Sequence, residues 1–350
     1  MSYDITQIDK NFKADVSFEN MNTYNILSEP FEIKGVTFDG DKFVRMPKQI
    51  ANEISNTVSI LYSNTSGGRI RFRTTTQKIT LTAILPNVTK FTHMPKSGTS
   101  CFDIYDGNDY RGFFSCDYAL CSNGLYKGSA TLDLKTNDLH DITINFPLYN
   151  DVSAVYISLE KDCELQKPLF EKYQTPIVYY GSSITQGGCA SHAGNSYQNI
   201  ISRRLSTNYI NLGFSGGCFA EPDMMDYLAT LDMSVFVYDY DHNAGNYEFL
   251  QKTHEQGFLR FRKKRPDVPV VMITSADIST NRQQRINVIR TTYENAVKSG
   301  DKNVYFINGD DIYAPVGKEY CTVDKCHPND LGFYCMANAI EPVIKKILEG

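Results

Sequence analysis

Residues 177–189 read Ile-Val-Tyr-Tyr-Gly-Ser-Ser-Ile-Thr-Gln-Gly-Gly-Cys. The first four residues form a short apolar run, which is typical of a strand buried on both faces. Glycine and hydroxyl residues follow and predict a tight loop. Further apolar runs alternate with predicted helices and occupy residues 209–212, 235–238, 270–273 and 304–307. This alternation predicts a parallel sheet that is covered by helices on both faces.

The first half of the chain has a different pattern. Residues 69–74 (Arg-Ile-Arg-Phe-Arg-Thr) and 141–146 (Asp-Ile-Thr-Ile-Asn-Phe) alternate apolar and polar side chains. Each stretch predicts a half-buried strand, and several such strands separated by turns indicate an antiparallel sandwich. We therefore predict a β-sandwich domain over residues 1–162 and an α/β domain over 175–350. The charged segment 161–174 between them is a predicted linker.

Composition excludes several classes of protein. The net charge of -5 over 350 residues provides no basic surface for nucleic acid. No apolar run approaches the roughly 20 residues that cross a bilayer, so we expect no membrane contact. Met1–Ile5 lacks the basic and apolar regions of a signal peptide, and the nine cysteines are scattered. Both observations favour a reduced, cytoplasmic chain, either as a monomer or as a homo-oligomer.

Three cysteines lie near a histidine towards the end of the chain. Cys321, Cys326 and Cys335 surround His327, but their spacing matches no common zinc-ligand pattern. We therefore expect no metal and no organic cofactor.

Small, polar and titratable residues follow the predicted parallel strands. These segments are 181–185 (Gly-Ser-Ser-Ile-Thr), 211–217 (Asn-Leu-Gly-Phe-Ser-Gly-Gly) and 241–244 (Asp-His-Asn-Ala). The loop 324–328 (Asp-Lys-Cys-His-Pro) precedes the last predicted helix. Because ligands bind beyond the carboxyl ends of parallel strands, we expect the four segments to meet at one edge of the sheet.

These residue types suit acyl transfer. A serine hydroxyl becomes a good nucleophile when an imidazole takes its proton. A carboxylate then fixes the tautomer of that imidazole, and Asp324 and His327 are close enough in sequence to face each other. Backbone N–H groups and an asparagine side chain can stabilise the oxyanion of the tetrahedral intermediate.

The four segments together resemble the four sequence blocks of the SGNH hydrolases, also called the GDSL esterase/lipase superfamily. This resemblance implies a three-layer, flavodoxin-like α/β domain. It also implies a nucleophile at Ser183, a base at His327, an acid at Asp324, and oxyanion donors at Ser183, Gly216 and Asn243. The sandwich in front resembles the N-terminal jelly-roll domain of a bacterial subgroup, a layout that recurs among carbohydrate acetylesterases.

Two positions depart from the family pattern. Ser182 replaces the family's aspartate, so two serines stand side by side. In the third block, Asp241 and Ala244 flank the pair His242-Asn243. We expect His242 and His192 to line the substrate pocket. The other histidines are expected to be structural or exposed, and they are His93, His140 and His254.

Each predicted site residue also has a structural interpretation. Ser183 or His327 could cap a helix. Asn243 could occupy a left-handed turn. Gly216 could serve a turn that requires positive φ, the role that we expect of Gly213 and Gly217.

The predicted activity is that of a serine ester hydrolase that forms an acyl-enzyme. The double glycine Gly187-Gly188 and the sandwich favour a short acyl group, acetyl, on a small-molecule or oligosaccharide substrate. One alternative is a thioesterase or lysophospholipase. An alternative from another class is a carbohydrate-binding protein with an inactive hydrolase domain.

Overall fold

The first part of the chain is an antiparallel β-sandwich. A computed structural model describes residues 16–277 and 280–350, so Met1–Ile5 lies outside the described residues. The strands of this part are β1 (Met21–Asn25), β2 (Glu32–Lys34), β3 (Thr37–Phe38), β4 (Phe43–Val44), β5 (Arg69–Thr74), β6 (Lys78–Leu85), β7 (Phe102–Asp106), β8 (Asp109–Phe114), β9 (Ala119–Leu120), β10 (Tyr126–Asp133), β11 (His140–Asn145), β12 (Ala154–Glu160) and β13 (Leu165–Gln166).

These strands form two main sheets. One sheet has the order β1-β12-β6-β10-β9, and the other has the order β13-β5-β11-β7-β8 with β2 beside β5. Alternate side chains of the strands, such as Ile70 and Phe72 of β5, are fully buried between the sheets. The predicted all-β jelly-roll sandwich is confirmed.

The outer face of β5 differs from the prediction of a half-buried strand. Arg69 is only 4% exposed because the second half of the chain covers it. Its guanidinium lies 3.9 Å from the ring centre of Tyr209 and donates a 2.8 Å hydrogen bond to the Asn208 side chain. An alternating strand can therefore be buried on both faces when its polar face contacts another domain.

A five-stranded parallel sheet forms the second part of the chain. Its strands are β14 (Tyr173–Gly181), β15 (Thr207–Gly213), β16 (Val235–Asp239), β17 (Val270–Ile273) and β18 (Val304–Ile307). They lie in the order β15-β14-β16-β17-β18, and all neighbouring pairs are parallel. This strand order is the flavodoxin-like order 2-1-3-4-5, so the predicted fold class is confirmed.

Helices cover both faces of the parallel sheet. In chain order after three short helices of the first part, α1 (Lys48–Ile54), α2 (Asn56–Leu61) and α3 (Lys96–Thr99), they are α4 (Ser183–Gln186), α5 (Tyr197–Leu205), α6 (Pro222–Leu228), α7 (Tyr247–Lys264), α8 (Arg282–Lys298), α9 (Gly309–Ile312), α10 (Lys318–Cys321) and α11 (Asp330–Glu349). Ile177 and Tyr179 of β14 contribute to the core on one face, and Val178 and Tyr180 contribute to the core on the other.

The segment that carries α1 and α2 joins the two parts of the chain. Ala51 and Val58 are fully buried in the same hydrophobic cluster as Phe214 of the second part. The Arg45 guanidinium lies 4.4 Å from the ring centre of Phe214 and donates a 2.7 Å hydrogen bond to the Leu61 carbonyl. The two halves therefore share a core, which no local sequence pattern predicts.

The predicted linker contains structure of its own. It includes β13 and the start of β14, and Glu171 forms a 2.6 Å ion pair with Arg71 of β5. All nine cysteines are free thiols. None of the helices in residues 16–277 and 280–350 has the length and apolar character needed to cross a bilayer.

One buried carboxylate makes a polar contact between the two parts. Asp103 of β7 is completely buried and accepts hydrogen bonds from the Gly194 backbone N–H at 2.6 Å and from Asn145 Nδ2 at 2.6 Å. Its second contact across the interface is with His192 Nδ1 at 2.5 Å. Burying a carboxylate is unfavourable unless it is well hydrogen-bonded, and these donors satisfy that requirement.

We predict that Asp103→Ala lowers the free energy of unfolding by about 3 kcal/mol, because two buried donors and the half-buried His192 lose their acceptor. Thermal and urea unfolding measure the change. The matched control is Asp138→Ala, because Asp138 is exposed on the same sandwich. Equal unfolding midpoints for the two variants would show that the Asp103 contact contributes nothing to stability.

Candidate active site

The two adjacent serines after β14 have different roles. Ser182 is the N-cap of α4, and its hydroxyl accepts a 3.1 Å hydrogen bond from the Ile184 backbone N–H. Ser183 is the first residue of the helix, and its Oγ lies 2.8 Å from His327 Nε2. The capping role that was an alternative for Ser183 is therefore performed by Ser182.

His327 lies between Ser183 and a carboxylate. Its Nδ1 is 2.7 Å from Asp324 Oδ2, while Asp324 Oδ1 accepts a 2.7 Å hydrogen bond from the His327 backbone N–H. A carboxylate beside Nδ1 favours the tautomer with the proton on that nitrogen. Nε2 is then left to accept a proton from the Ser183 hydroxyl. His327 does not cap the last helix, because the side chain of Asn329 caps α11.

The hydrogen bonds to Asp324 determine its ionisation. Partial burial raises the pKa of this carboxyl. The hydrogen bonds from the His327 backbone and imidazole lower the pKa by more than burial raises it. The net pKa lies below the ordinary value of an aspartate. Asp324 is therefore ionised at neutral pH and can stabilise an imidazolium at His327.

The predicted oxyanion residues lie on two neighbouring loops. Asn243 ends a 3-10 turn after β16, and its Nδ2 donates a 3.1 Å hydrogen bond to the Phe214 carbonyl. This bond holds the amide beside the loop that carries Gly216. Asn243 is outside the left-handed region, so it does not have the turn role considered above. Its role as an oxyanion donor stays a prediction, as does that of Gly216.

The glycines of the second block differ from expectation. Gly216 has a φ of +66°, whereas Gly213 and Gly217 are not among the residues with positive φ. The expectation for Gly213 and Gly217 was therefore wrong. Gly213 instead allows a close approach, because a Cβ there would lie 2.3 Å from the Gln186 backbone nitrogen. A Cβ on Gly217 would lie 2.7 Å from the Thr57 side chain.

The structure pairs each of the two predicted pocket histidines with an aspartate. His192 contacts Asp103 and stacks on Tyr110 with a centroid distance of 4.3 Å. His242 Nε2 lies 3.0 Å from Asp277 Oδ1, and both side chains are almost fully buried. Substrate binding by His192 and His242 stays a prediction.

Three further side chains surround the serine and the histidine. The Tyr149 hydroxyl donates a 3.0 Å hydrogen bond to the Ser183 carbonyl. The His93 ring lies 5.6 Å from the His327 ring, centre to centre, and the Cys189 Sγ lies 3.5 Å from the His93 carbonyl oxygen. The expectation that His93 has only a structural or exposed role overlooked this contact. Nothing in the local sequence marks His93, because it belongs to the other domain.

A buried acid lies close to the loop that carries Ser183. Asp239 ends β16, and its Oδ2 accepts hydrogen bonds of 3.3 Å from Thr185 Oγ1 and from the Tyr197 hydroxyl. Complete burial raises the pKa of Asp239 to about 7, despite the opposing effect of His242. Asp239 therefore stays largely protonated well above the pH at which an exposed aspartate ionises.

Two family models match consecutive parts of the chain. The GDSL-like lipase/acylhydrolase family matches residues 174–345, and the N-terminus of SGNH hydrolase-type esterases matches residues 21–165. The chain belongs to the GDSL/SGNH superfamily, and it is a carboxylic ester hydrolase. The family and the enzyme class that the four sequence blocks predicted are confirmed.

Solved structures share the two-domain fold. A GDSL-like lipase from Bacteroides ovatus is 26% identical, covers 94% of this chain and 98% of its own, and has a TM-score of 0.82. A family two carbohydrate esterase from Cellvibrio japonicus is 11% identical, with coverages of 94% and 98% and a TM-score of 0.61. The acetyl xylan esterase Est2A from Butyrivibrio proteoclasticus is 13% identical, with coverages of 94% and 99% and a TM-score of 0.60. No curated protein matches the chain.

We predict that an organophosphate such as paraoxon labels Ser183 and no other serine. Among the serines of residues 16–277 and 280–350, Ser183 alone has its hydroxyl beside an imidazole nitrogen. Mass spectrometry of a protein digest locates the adduct. Ser183→Ala should remove it. Ser182→Ala should retain it, with a loss of about 1 kcal/mol of stability from the missing helix cap. Labelling of Ser182 in the unmodified protein would contradict the assignment.

We predict that Asp239→Asn raises the melting temperature at pH 8.5 by at least about 3 °C. The pKa of Asp239 is raised in the folded state, so the folded protein retains a proton that the unfolded chain loses between pH 4 and 7. Stability is therefore lost as the pH rises through this range, and asparagine removes the effect.

Melting curves of Asp239→Asn at pH 4.5 and 8.5 provide the test, with the exposed Asp232→Asn as control. The gain should be smaller at pH 4.5 than at pH 8.5. If the melting temperature rises by the same amount at both pH values, the ionisation of Asp239 is not the cause of the rise.

Proposed function

We propose that this protein is a serine esterase that removes a short acyl group, acetyl, from a carbohydrate through an acyl-enzyme. The observation that carries the proposal is the continuous hydrogen-bonded chain from Ser183 Oγ to His327 at 2.8 Å and from His327 to Asp324 at 2.7 Å. A chain of this kind moves a proton away from the serine as the hydroxyl attacks.

The reaction proceeds in two steps. Ser183 Oγ attacks the ester carbonyl while His327 Nε2 takes the hydroxyl proton. The resulting oxyanion is stabilised by the Ser183 and Gly216 backbone N–H groups and by the Asn243 amide. The carbon–oxygen bond to the alcohol then breaks, and His327 gives its proton to the departing oxygen. In the second step, water attacks the acyl carbon while His327 Nε2 takes a proton from it. The bond from the acyl carbon to Ser183 Oγ then breaks, the acid is released, and His327 returns its proton to Ser183 Oγ.

A groove beside the oxyanion loop favours a sugar as the alcohol. It has a volume of about 530 Å³ and reaches Ser215, the residue before Gly216. The groove combines aromatic rings with amide and hydroxyl side chains, including Phe91, Tyr149, Asn64, Asn87 and Thr89. Aromatic faces can pack against the apolar face of a sugar, and the amides can hydrogen-bond its hydroxyl groups. The carbohydrate esterases with the same fold agree with this choice.

The packing around His327 favours a short acyl group. A Cβ on Gly188 would lie 3.1 Å from His327 Cδ2 and 2.9 Å from the Tyr149 hydroxyl. A Cβ on Gly187 would lie 2.9 Å from the Leu148 side chain. The double-glycine loop is thus tightly packed against its neighbours on the His327 side, which leaves little room there for a long alkyl chain.

We expect kcat/KM on nitrophenyl esters to fall at least about tenfold from acetate to octanoate, because the longer chain clashes in a small acyl pocket. Acetylated oligosaccharides should be deacetylated, as followed by mass spectrometry, and Ser183→Ala should be inactive on both substrates. A maximum at octanoate or longer would instead support the thioesterase or lysophospholipase alternative. Sugar binding without turnover of any ester would support the binding-protein alternative.

We also expect Asn243→Ala to lower kcat by about 10²- to 10³-fold with little change in KM, because an oxyanion donor acts mainly on the transition state. Steady-state kinetics on nitrophenyl acetate measure both constants. Asn246→Ser is the matched control, since Asn246 is exposed nearby and serine can still cap α7. Equal kcat values for Asn243→Ala and the control would remove Asn243 from the mechanism.

A further inference from the structure

Three potential metal ligands converge beside the catalytic serine. A ring nitrogen of His93, the Sγ of Cys189 and a ring nitrogen of His327 all lie within 4.8 Å of one another. Within residues 16–277 and 280–350, this is the one set of three or more His, Cys, Asp or Glu side chains that comes so close. It differs from the group of Cys321, Cys326 and Cys335 that stands out in the sequence.

We propose that His93, Cys189 and His327 form a binding site for a thiophilic divalent cation such as Zn²⁺, and that its occupation stops the esterase. Imidazole nitrogen and cysteine sulfur are the ligands that zinc prefers in proteins. The inhibition rests on the proposed function, whereas the binding of the ion does not.

The hydrogen bond between Asp324 and His327 prepares His327 as a ligand. A histidine that binds a metal commonly donates its other ring N–H to a carboxylate, which fixes the tautomer and increases the basicity of the free nitrogen. Asp324 contacts Nδ1 in this way at 2.7 Å, which leaves Nε2 as the nitrogen that would bind the ion in place of the Ser183 hydroxyl. Nε2 cannot accept the Ser183 proton while it is bound to a metal, and this competition is the cause of the inhibition.

The backbone conformation at Cys189 also supports a metal site. Cys189 is a non-glycine residue with a φ of +73°, a conformation that L residues rarely adopt. The Cys189 side chain is 6% exposed, and its thiol donates a hydrogen bond to the His93 carbonyl. Strained backbone of this kind is often found where a side chain must have a particular direction. Here it directs a sulfur towards two imidazoles from different domains.

Only a small movement is needed to close the site. Zinc–nitrogen bonds of about 2.0 Å and zinc–sulfur bonds of about 2.3 Å in a tetrahedron place ligand atoms roughly 3.5 Å apart. The three ligand atoms must therefore approach one another by about 1 Å. His93 lies in the irregular loop between β6 and α3 and is half-buried, so its ring can make this adjustment. Water completes the tetrahedron.

Calorimetry on the Ser183→Ala protein tests the binding separately from activity. Titration of ZnCl₂ into this metal-free variant should show one ion per chain with micromolar affinity, because binding must displace the thiol proton. Adding His93→Gln or Cys189→Ser should weaken binding at least tenfold. Adding Cys121→Ser, the control, should leave it unchanged, since Cys121 lies on a partly exposed loop of the sandwich. No saturable binding, or binding unaffected by both His93→Gln and Cys189→Ser, would overturn the site.

Inhibition provides the second test. ZnCl₂ should inhibit nitrophenyl acetate hydrolysis by the protein with Ser183 intact, and EDTA should restore the rate. His93→Gln and Cys189→Ser should each raise the zinc concentration that halves the rate at least tenfold. The rate of each variant is measured against the rate of the same variant without zinc. Zinc binding with no ester turnover would refute the proposed function and leave the ion site standing. Ester turnover that saturating zinc does not affect would refute the inhibitory site and leave the esterase standing.

Discussion

The short helix that carries Ser183 belongs to the second half of the chain but depends on contacts from the first half. An isolated helix of four residues is unstable, so α4 requires tertiary hydrogen bonds. Ser66 Oγ donates a 2.7 Å hydrogen bond to the Gln186 carbonyl, and Gln186 Nε2 donates to Asn64 Oδ1 at 3.1 Å. The Tyr149 hydroxyl contacts the Ser183 carbonyl at the other end of the helix. All three contacts come from the first half, so the first half of the chain is a structural component of the candidate active site.

Two aspartates near this helix show how environment separates the ionisation of identical groups. Asp239 is buried, and its pKa is raised to about 7. Asp324 is partly exposed and accepts hydrogen bonds from His327, so its pKa is lowered. The environment of Asp239 favours the neutral acid. The environment of Asp324 favours a negative charge beside the His327 imidazole. Desolvation outweighs the other contributions to the pKa of Asp239, whereas the hydrogen bonds and the charge interaction with His327 together outweigh desolvation at Asp324.

The geometry at His327 has two chemical consequences. A carboxylate beside Nδ1 and an unprotonated Nε2 are what a general base requires, and a histidine that binds zinc requires the same arrangement. The catalytic domain alone supplies His327 and Cys189, while the sandwich adds His93. Contact between the domains therefore affects both the shape of the groove beside Gly216 and the chemistry that is available at His327.

The sequence by itself determined the fold class of each half and the loops that follow the parallel strands. It also determined the pairing of Asp324 with His327. These features depend on the short-range periodicity of apolar residues and on two residues that stand three positions apart in one loop. Both kinds of pattern are visible in a short stretch of sequence. Only the tertiary structure showed that Ser182 caps α4, that Arg69 is buried and that His93 lies beside His327. It also placed α1 and α2 against the second half. These contacts join residues far apart in the chain, and they depend on how two folded surfaces pack, which no local pattern encodes.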